Sequence, residues 1–296
     1  MRVVVAGGTG FIGREVVRRL LAAGHEVAAT TRDPQKDPFD GRVRLEQAFA
    51  GDAASLAKAF TGAEVVVHAI QFPNHPVEDA SKGRTYLEVD GKGTEVSVRM
   101  AKRVGVRRFV YVSGAGAGQG RPQSWFVAKD RAEAAIRESG IEHAILRPSW
   151  IYGPRDRSMN KFVTFVRYLP AVPVIGDGRT HVDPIHVDDV GHAVADAAVR
   201  DDAAALTLDL GGPERLTMDE IIRTVMTVMG RRRLLVHHPA GLMKRLVWPM
   251  RFLPAPPLSP DAIDFITTEV PLDPKPAMDY FGFPFRRLAE GLREYL

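Results

Sequence analysis

The sequence predicts an α/β protein with a doubly wound parallel sheet of about seven strands and a smaller, mostly helical C-terminal cap. Three observations predict this fold. Short β-branched runs alternate with amphipathic helical patterns over the first 150 residues, which is typical of a parallel sheet covered by helices on both faces. The first strand runs directly into a glycine-rich turn, Gly7–Gly13. After Arg147 and Pro148 the alternation stops.

The predicted strands are short runs rich in valine, isoleucine and aromatic residues. Most of them are apolar along their whole length, so we expect them to be buried on both faces of the sheet. They are Val3–Ala6, Glu26–Thr31, Val43–Glu46, Val65–Ile70, Phe109–Ser113, His143–Leu146 and Leu206–Leu210.

The predicted helices are amphipathic stretches that lie between and after these strands. In the first one, apolar residues recur at helical spacing from Val16 to Leu21, and Gly24 is placed to end the helix. The predicted helices are Gly13–Ala23, Glu95–Val104, Lys129–Ser139, Lys161–Tyr168, Val187–Ala198, Met218–Met229 and Arg287–Leu296.

The turn after the first strand has the spacing of a phosphate-binding turn. Gly7 allows a tight exit from the strand, Gly10 lets a pyrophosphate approach the backbone, and Gly13 lets the first helix pack closely on the sheet. The helix N-terminus offers free N–H groups and a positive dipole end to phosphates. This context predicts a Rossmann dinucleotide site. The turn residues predicted to contact the cofactor are Gly7, Thr9, Gly10, Phe11, Ile12 and Gly13.

The end of the second strand favours NADP(H) over NAD(H). An NAD site usually has a carboxylate there for the ribose diol, whereas this strand ends in Thr30, Thr31 and Arg32. The Arg32 guanidinium could form charge-assisted hydrogen bonds with a 2′-phosphate. Asp33 is the counter-argument, because its carboxylate could rotate toward the ribose. A solvated loop arginine is the alternative for Arg32.

The sheet and the cap are predicted to be separate units. Residues 1–150 and 181–212 form the predicted NAD(P)-binding Rossmann domain. Residues 151–180 and 213–296 form the predicted substrate-binding cap, which is built from two separated segments. A chain of 296 residues suits a large domain with a smaller partner.

Composition excludes several classes of site. The chain has no cysteine, which excludes disulfides, thiolate metal sites and cysteine nucleophiles and fits a cytoplasmic protein. The histidines have no neighbouring ligands at metal spacing, so we expect no metal. The net charge is +4, and the cluster Arg231–Arg233 is not part of a basic stripe with a matching motif, so we expect no nucleic-acid partner.

Several segments together resemble the extended and atypical short-chain dehydrogenase/reductases, which are NAD-dependent epimerase/dehydratase-like proteins. The turn Gly7–Gly13 has their GxxGxxG spacing. Val65–Ile70 is similar to their fourth strand and Phe109–Ser113 to their fifth. Leu146–Pro154 is similar to the sixth strand with its following loop, and Ile185–Val190 matches a returning segment of the extended members.

Within this family, the chain looks most like the atypical branch that includes the nucleotide-binding accessory subunit of respiratory complex I. Leu208–Pro213 and Leu216–Ile221 carry this closer similarity. The resemblance implies that the chain binds NADP(H), since members of that branch do so, often with no assigned reaction. Further cofactor contacts are expected at Ala69, Ile70, Pro148 and Ile151.

The resemblance also assigns candidate catalytic positions. In the family a lysine binds the nicotinamide ribose, a tyrosine four residues earlier acts as acid or base, and a serine or threonine after the fifth strand assists. Lys129 matches the lysine, but Trp125 stands at the tyrosine position and Gly114 at the serine position. Ser113 is one residue off and should point to the other face. An indole N–H can donate a hydrogen bond but cannot act as a general acid or base near pH 7, so the usual mechanism is missing.

Two of these positions have alternatives. Lys129 could be a surface lysine of its helix, and Trp125 could be a packing aromatic over the cofactor cleft. Loops at the carboxyl ends of strands line the ligand crevice, so the segment after the fourth strand is a further candidate for substrate contacts. The residues of that segment are Gln71, Phe72 and Asn74, and the predicted substrate site is formed by Gln71, Trp125 and Tyr152.

The segment Leu242–Phe252 combines apolar bulk, two aromatic residues and three basic residues. One interpretation is a capping helix, broken at Pro249, with its apolar face in the core. The other is a peripheral contact with a membrane or a respiratory complex. No run approaches the length of a spanning helix, and we expect no export signal ahead of the first strand.

Three functions remain open, in this order. The first is an NADP(H)-dependent oxidoreductase that acts on a small carbonyl or quinone-like molecule without the usual tyrosine. The second is a protein that holds NADP(H) without turnover, as a structural or sensor component. The third is a sugar-nucleotide epimerase or dehydratase, which usually needs the missing tyrosine.

Overall fold

The computed structural model describes residues 1–72, 75–252 and 258–296, and for Arg251 and Phe252 it describes the backbone only. Asn74, one of the candidate substrate residues, therefore lies outside the described residues. The thirteen strands in these ranges are β1 (Arg2–Ala6), β2 (Glu26–Thr31), β3 (Arg44–Gln47), β4 (Val65–His68), β5 (Arg108–Val112), β6 (Glu142–Pro148), β7 (Ile151–Tyr152), β8 (Ala171–Ile175), β9 (His181–Val182), β10 (Ile185–His186), β11 (Leu206–Leu210), β12 (Leu216–Thr217) and β13 (Leu234–His238).

The helices of the same ranges flank and follow these strands. A π-helix, Tyr86–Lys92, continues directly into the third α-helix, and short 3₁₀ turns lie at Ala80–Lys82, Asp201–Ala203 and Trp248–Phe252. The α-helices are α1 (Phe11–Ala22), α2 (Ala53–Phe60), α3 (Gly93–Arg103), α4 (Ser124–Glu138), α5 (Met159–Tyr168), α6 (Val187–Val199), α7 (Met218–Val228), α8 (Ala240–Val247), α9 (Pro260–Thr267), α10 (Lys275–Phe281) and α11 (Leu288–Arg293).

Seven strands form one sheet in the order β3-β2-β1-β4-β5-β6-β11, and every pairing in it is parallel. This confirms the predicted fold class and strand number. The chain winds outward from β1 in one direction and from β4 in the other. The turns that follow β1 and β4 therefore meet at the switch point of the sheet, where ligands of such folds bind.

The sheet is buried on both faces because its strands are apolar on both. In β1, Val3 and Val5 face a cluster formed with α1, α6 and α10, whereas Val4 and Ala6 face a cluster formed with α2, α3 and α4. Successive residues of a strand point to opposite faces, and all four side chains are fully buried. The continuous valine run therefore makes β1 a central strand.

A third apolar cluster lies within the cap segments. It combines side chains of α5, β8, α7 and α11, including Val163, Ile221 and Leu292. The three helices predicted in these segments are present, although α11 is shorter than the predicted Arg287–Leu296. Among the residues that the structure describes, no helix is both long and apolar enough to cross a bilayer.

Two differences from the sequence expectation bear on the site. Helix α4 begins at Ser124 rather than at Lys129, so Trp125 and Lys129 lie one turn apart on the same helix. The start of α4 gave a weak sequence signal, because the side chain of the preceding Gln123 does not cap the helix. The π-helix before α3 was not predicted, since its residues show no apolar periodicity.

Candidate dinucleotide and substrate site

The turn between β1 and α1 forms a cradle that only glycine fits. Gly7 has a φ of +80°, and a Cβ there would lie 2.7 Å from the carbonyl oxygen of Ala69. A Cβ on Gly10 would lie 3.0 Å from the carbonyl oxygen of Gly7, and one on Gly13 would clash with that same oxygen. A ligand can therefore approach this backbone more closely than any side chain would allow.

The start of α1 leaves its donors available. Gly10 precedes the helix without a side chain to cap it, and the first turn of the 12-residue helix contains no acidic residue. The first N–H groups and the positive end of the dipole therefore remain for an anion. The glycine cradle and these donors fit the pyrophosphate of a dinucleotide.

The end of β2 is tied to the turn through two hydroxyl groups. Thr30 Oγ1 accepts a hydrogen bond from the Gly7 N–H at 3.0 Å, and Thr9 Oγ1 donates to Thr31 Oγ1 at 3.1 Å. These contacts hold the tip of β2 beside the cradle. Two hydroxyl groups at a strand tip are a signal visible in the sequence, beyond the absence of an acid there.

Two guanidinium groups and one carboxylate determine the charge at this end of the cleft. The Arg32 side chain is exposed. The carboxylate of Asp33 turns into its own loop, 3.1 Å from Lys36 Nζ, and the hydrogen bond from Lys36 lowers the pKa of Asp33. Arg14 Nε donates to the carbonyl oxygen of Thr9 at 2.8 Å. Arg14 was not predicted from the sequence, since a lone helix arginine is usually a surface residue.

The other predicted cofactor contacts lie at the ends of several strands and at the start of α1. The backbone of Ala69 and Ile70 packs against Gly7. The side chains of Ile12 and Ile151 are partly buried and pack against the apolar cluster that includes α1. The carbonyl oxygen of Pro148 accepts a hydrogen bond from the Ala115 N–H at 2.9 Å. The ring of Phe11 faces the loop after β7, 3.6 Å from a Cβ built on Gly153. These contacts with a cofactor remain predictions.

Lys129 is paired with a carboxylate that the sequence analysis did not identify. Its Nζ lies 2.9 Å from Asp90 Oδ1, and neither side chain is accessible, at 3% and 0%. Burial alone would lower the pKa of Lys129, but the adjacent Asp90 outweighs it and the pKa is raised. Lys129 is therefore a buried ammonium and not the surface lysine of the alternative. Its contact with a ribose stays a prediction.

The π-helix brings Asp90 to Lys129. This segment packs against α4 at Gly91, where an added Cβ would lie in ordinary contact with the Cα of Ala128, at 3.6 Å. Burial raises the pKa of Asp90, and the charge of Lys129 opposes this without reversing it. π-Helical turns often occur at functional sites. In the sequence, Asp90 stands next to Gly91 just before a helix, and this was the signal that could have indicated a partner for Lys129.

Trp125 and Gly114 fit each other. A Cβ on Gly114 would lie 2.5 Å from Cζ2 of Trp125 and closer still to its Cη2, so the indole occupies the space above the glycine. Ser113 points elsewhere, and its hydroxyl donates to Glu133 Oε1 at 2.7 Å in a buried network with Arg147. Neither tyrosine nor serine hydroxyl is present at these two positions.

Aromatic rings surround Trp125 on the side of the cap. Its ring centroid lies 5.5 Å from that of Tyr86, 5.9 Å from that of His75 and 5.0 Å from that of Phe265 on α9. Phe72 completes this ring cluster, 4.8 Å from Tyr86. Burial, and then the charge of Lys129, lower the pKa of His75 to about 3, so its imidazole is neutral. Burial raises the pKa of Tyr86.

One predicted substrate residue is placed elsewhere. Tyr152 is fully buried, and its hydroxyl donates to the carbonyl oxygen of Arg287 at 3.4 Å. A Cβ on Gly291 of α11 would clash with that hydroxyl, so the ring belongs to the core of the cap. The predicted substrate contact of Tyr152 is therefore corrected to a packing role. Gln71 is exposed in the loop after β4, and its contact with a substrate remains a prediction.

A glycine cradle at the switch point of a parallel sheet defines a dinucleotide-binding Rossmann protein. The chain belongs to the NAD(P)H-binding family, whose model matches residues 7–199. It is 28% identical to the NADH dehydrogenase [ubiquinone] 1 alpha subcomplex subunit 9 of Arabidopsis thaliana, over 90% of this chain and 69% of that one. It is 29% identical to the ceramide reductase of Caulobacter vibrioides, over 80% of this chain and 73% of that one.

The structure of a UDP-glucose 4-epimerase from Thermus thermophilus in complex with NAD matches with a TM-score of 0.76 and 23% identity, over 99% of this chain and 97% of that one. At this identity the match shows a shared fold. The chain spans between 61% and 69% of the length of the complex I subunits that it matches. These comparisons confirm an atypical short-chain dehydrogenase/reductase related to that subunit and a site for a pyridine nucleotide.

Proposed function

We propose that the chain is an NADP(H)-dependent oxidoreductase that reduces a small apolar carbonyl or quinone-like molecule without a tyrosine acid. The observation that carries this proposal is the ring cluster at the cofactor crevice, with Trp125 where the family keeps its tyrosine. Aromatic walls suit a planar apolar ligand and exclude water. The name of the Caulobacter relative, ceramide reductase, supports a reductase as well.

The end of β2 supports NADP(H) as the cofactor. The exposed Arg32 follows the strand, and Asp33 is held in its own loop by Lys36. The carboxylate that would favour a ribose diol is therefore engaged elsewhere. A 2′-phosphate would gain charge-assisted hydrogen bonds from a guanidinium.

Substituting Arg32→Ala should weaken NADPH binding about tenfold to a hundredfold and leave NADH binding nearly unchanged, because one charged hydrogen bond contributes about 1.5–3 kcal/mol. Isothermal titration with each nucleotide measures both affinities. Arg99→Ala, an exposed arginine on α3, is the matched control. Equal weakening of both nucleotides by Arg32→Ala would refute the assignment.

A bound nicotinamide would supply the hydride. The rings of Trp125, Phe72 and Tyr86 would hold the acceptor and keep water from the reacting carbon. Lys129 stays protonated because Asp90 raises its pKa, so it is a poor proton donor. The proton that completes the new hydroxyl group would come from water at the mouth of the cleft.

Incubation of the protein with NADPH and panels of quinones, aldehydes and ketones tests the reaction. We expect steady oxidation of NADPH above background with an apolar acceptor, read at the absorbance of the reduced nicotinamide. Gly13→Ala is the control, since its Cβ would clash with the Gly7 carbonyl and spoil the cradle. Tight NADPH binding with no oxidation across the panel would count against the proposal.

The second candidate is a structural or sensor protein that binds NADP(H) without turnover. This candidate is favoured because Trp125 and Gly114 replace the tyrosine and the serine that carry the family's two hydroxyl groups. The similarity to complex I subunits favours it as well. A contact with a respiratory complex would follow from this candidate. Epimerase or dehydratase chemistry ranks third, because both usually need the tyrosine.

A further inference from the structure

One segment of the chain has a high net positive charge because it lacks acidic residues. Residues 221–260 contain seven lysine and arginine residues and no aspartate or glutamate. The whole chain has a net charge of +4, so the remaining residues together carry a net charge of −3. Such charge asymmetry is typical of a surface that meets an anionic partner.

Large apolar side chains are exposed in the same segment. On α8, Leu242 is 50% exposed and Leu246 is 59% exposed, and the 3₁₀ turn that follows exposes Trp248 at 49% and Met250 at 37%. Leu242 and Leu246 are four residues apart and share one side of the helix. Val247, on another side, is buried at 4%. The sequence interpretation that placed the apolar face of this helix in the core is therefore wrong for these four side chains.

We call this surface the α8 face and define it by Leu242, Leu246, Trp248, Met250 and the exposed Arg245. Six of the fourteen large apolar side chains exposed in the described part of the chain lie between residues 234 and 250. Four of them lie within the nine residues from Leu242 to Met250, and apolar side chains exposed so close together in the chain, beside Arg245, are unusual on a surface that meets only water.

We propose that the α8 face docks on the surface of an anionic phospholipid bilayer. The leucines and Trp248 have the composition of a helix that enters the boundary between headgroups and acyl chains. The exposed Arg245 complements lipid phosphates, whereas the neighbouring Lys244 is paired with Asp264 of α9. A second copy of the chain is a poor occupant, because a twofold contact would set the same basic segment against itself.

Sedimentation of the full chain with vesicles tests the proposal. We expect binding to vesicles of phosphatidylcholine mixed with phosphatidylglycerol, and much weaker binding to phosphatidylcholine alone or at high salt. Leu246→Asp should lower the partition coefficient by about tenfold or more, because a leucine side chain no longer enters the interface. Arg245→Glu should lower it by about tenfold on the anionic vesicles and little on the neutral ones.

Matched variants separate the α8 face from the general surface. Leu296→Asp is the control for Leu246→Asp, since Leu296 is an apolar side chain that is 39% exposed. Arg103→Glu is the control for Arg245→Glu, since each reverses a charge in the last turn of a helix, α3 and α8. Both should bind vesicles like the unchanged protein, and all variants should share its thermal midpoint. Absence of vesicle binding, equal binding by Leu246→Asp, or a dimer that this variant dissociates in light scattering would each overturn the proposal.

Discussion

Replacing Lys129 with methionine should lower the free energy of unfolding by about 3–5 kcal/mol, because the substitution leaves the Asp90 carboxylate buried without its partner. The two groups lie 2.9 Å apart with almost no access to solvent. An uncompensated charge in such surroundings costs far more than a lost surface ion pair. Urea unfolding of the apo protein, followed by circular dichroism, measures the change.

The neighbouring pair Lys92 and Glu88 provides the control. It lies in the same π-helical segment, with side chains 51% and 47% exposed, so Lys92→Met should cost less than about 1 kcal/mol. The double substitution Lys129→Met with Asp90→Leu removes both charges and should recover most of the loss. If Lys129→Met lowers the free energy of unfolding no more than Lys92→Met does, the pair of Lys129 and Asp90 is not buried in solution.

Substituting Gly114→Ser should destabilise the protein by about 1–3 kcal/mol, because the new Cβ would push against the indole of Trp125. The atoms in the way, Cζ2 and Cη2, belong to the second ring of the tryptophan. A tyrosine at position 125 lacks that ring, so the cost of Gly114→Ser should largely disappear in the Trp125→Tyr background. A double-mutant cycle of unfolding free energies measures this coupling.

The control for this cycle is Gly241→Ser, at a glycine with nothing within 4 Å of its added Cβ. It should change stability by no more than about 0.5 kcal/mol and show no coupling to Trp125→Tyr. Additive effects of Gly114→Ser and Trp125→Tyr would show that the indole does not fill the space above Gly114. The double variant also restores both family hydroxyls, so its NADPH oxidation with a carbonyl should rise about a hundredfold.

Much of the sheet was predictable because its signals are local. The valine run of β1 and the glycine spacing after it indicate a strand, a turn and a helix without reference to any distant residue. The helix Ala53–Phe60 was missed, although Asp52 accepts a hydrogen bond from the backbone at its start. Its eight residues are short for a periodic signal.

The candidate site was predictable only in part. The spacing of Trp125 and Lys129 indicated the departure from the family, but the partner of Lys129 is 39 residues away in sequence, at Asp90. Tyr152 follows a strand, which suggested a place at the cleft. Its actual position depends on α11, far along the chain, which packs over the ring.

The sequence by itself determined the doubly wound sheet, the glycine cradle for a dinucleotide and the loss of both hydroxyls at Gly114 and Trp125. Each depends on residue types at fixed short spacings, which act through backbone conformation and alternation. Only the tertiary structure decided that Lys129 is held by Asp90, that Phe265 of the cap closes the ring cluster, and that the α8 face is exposed. These depend on contacts between distant segments, where packing and burial set the charge state and accessibility of each group.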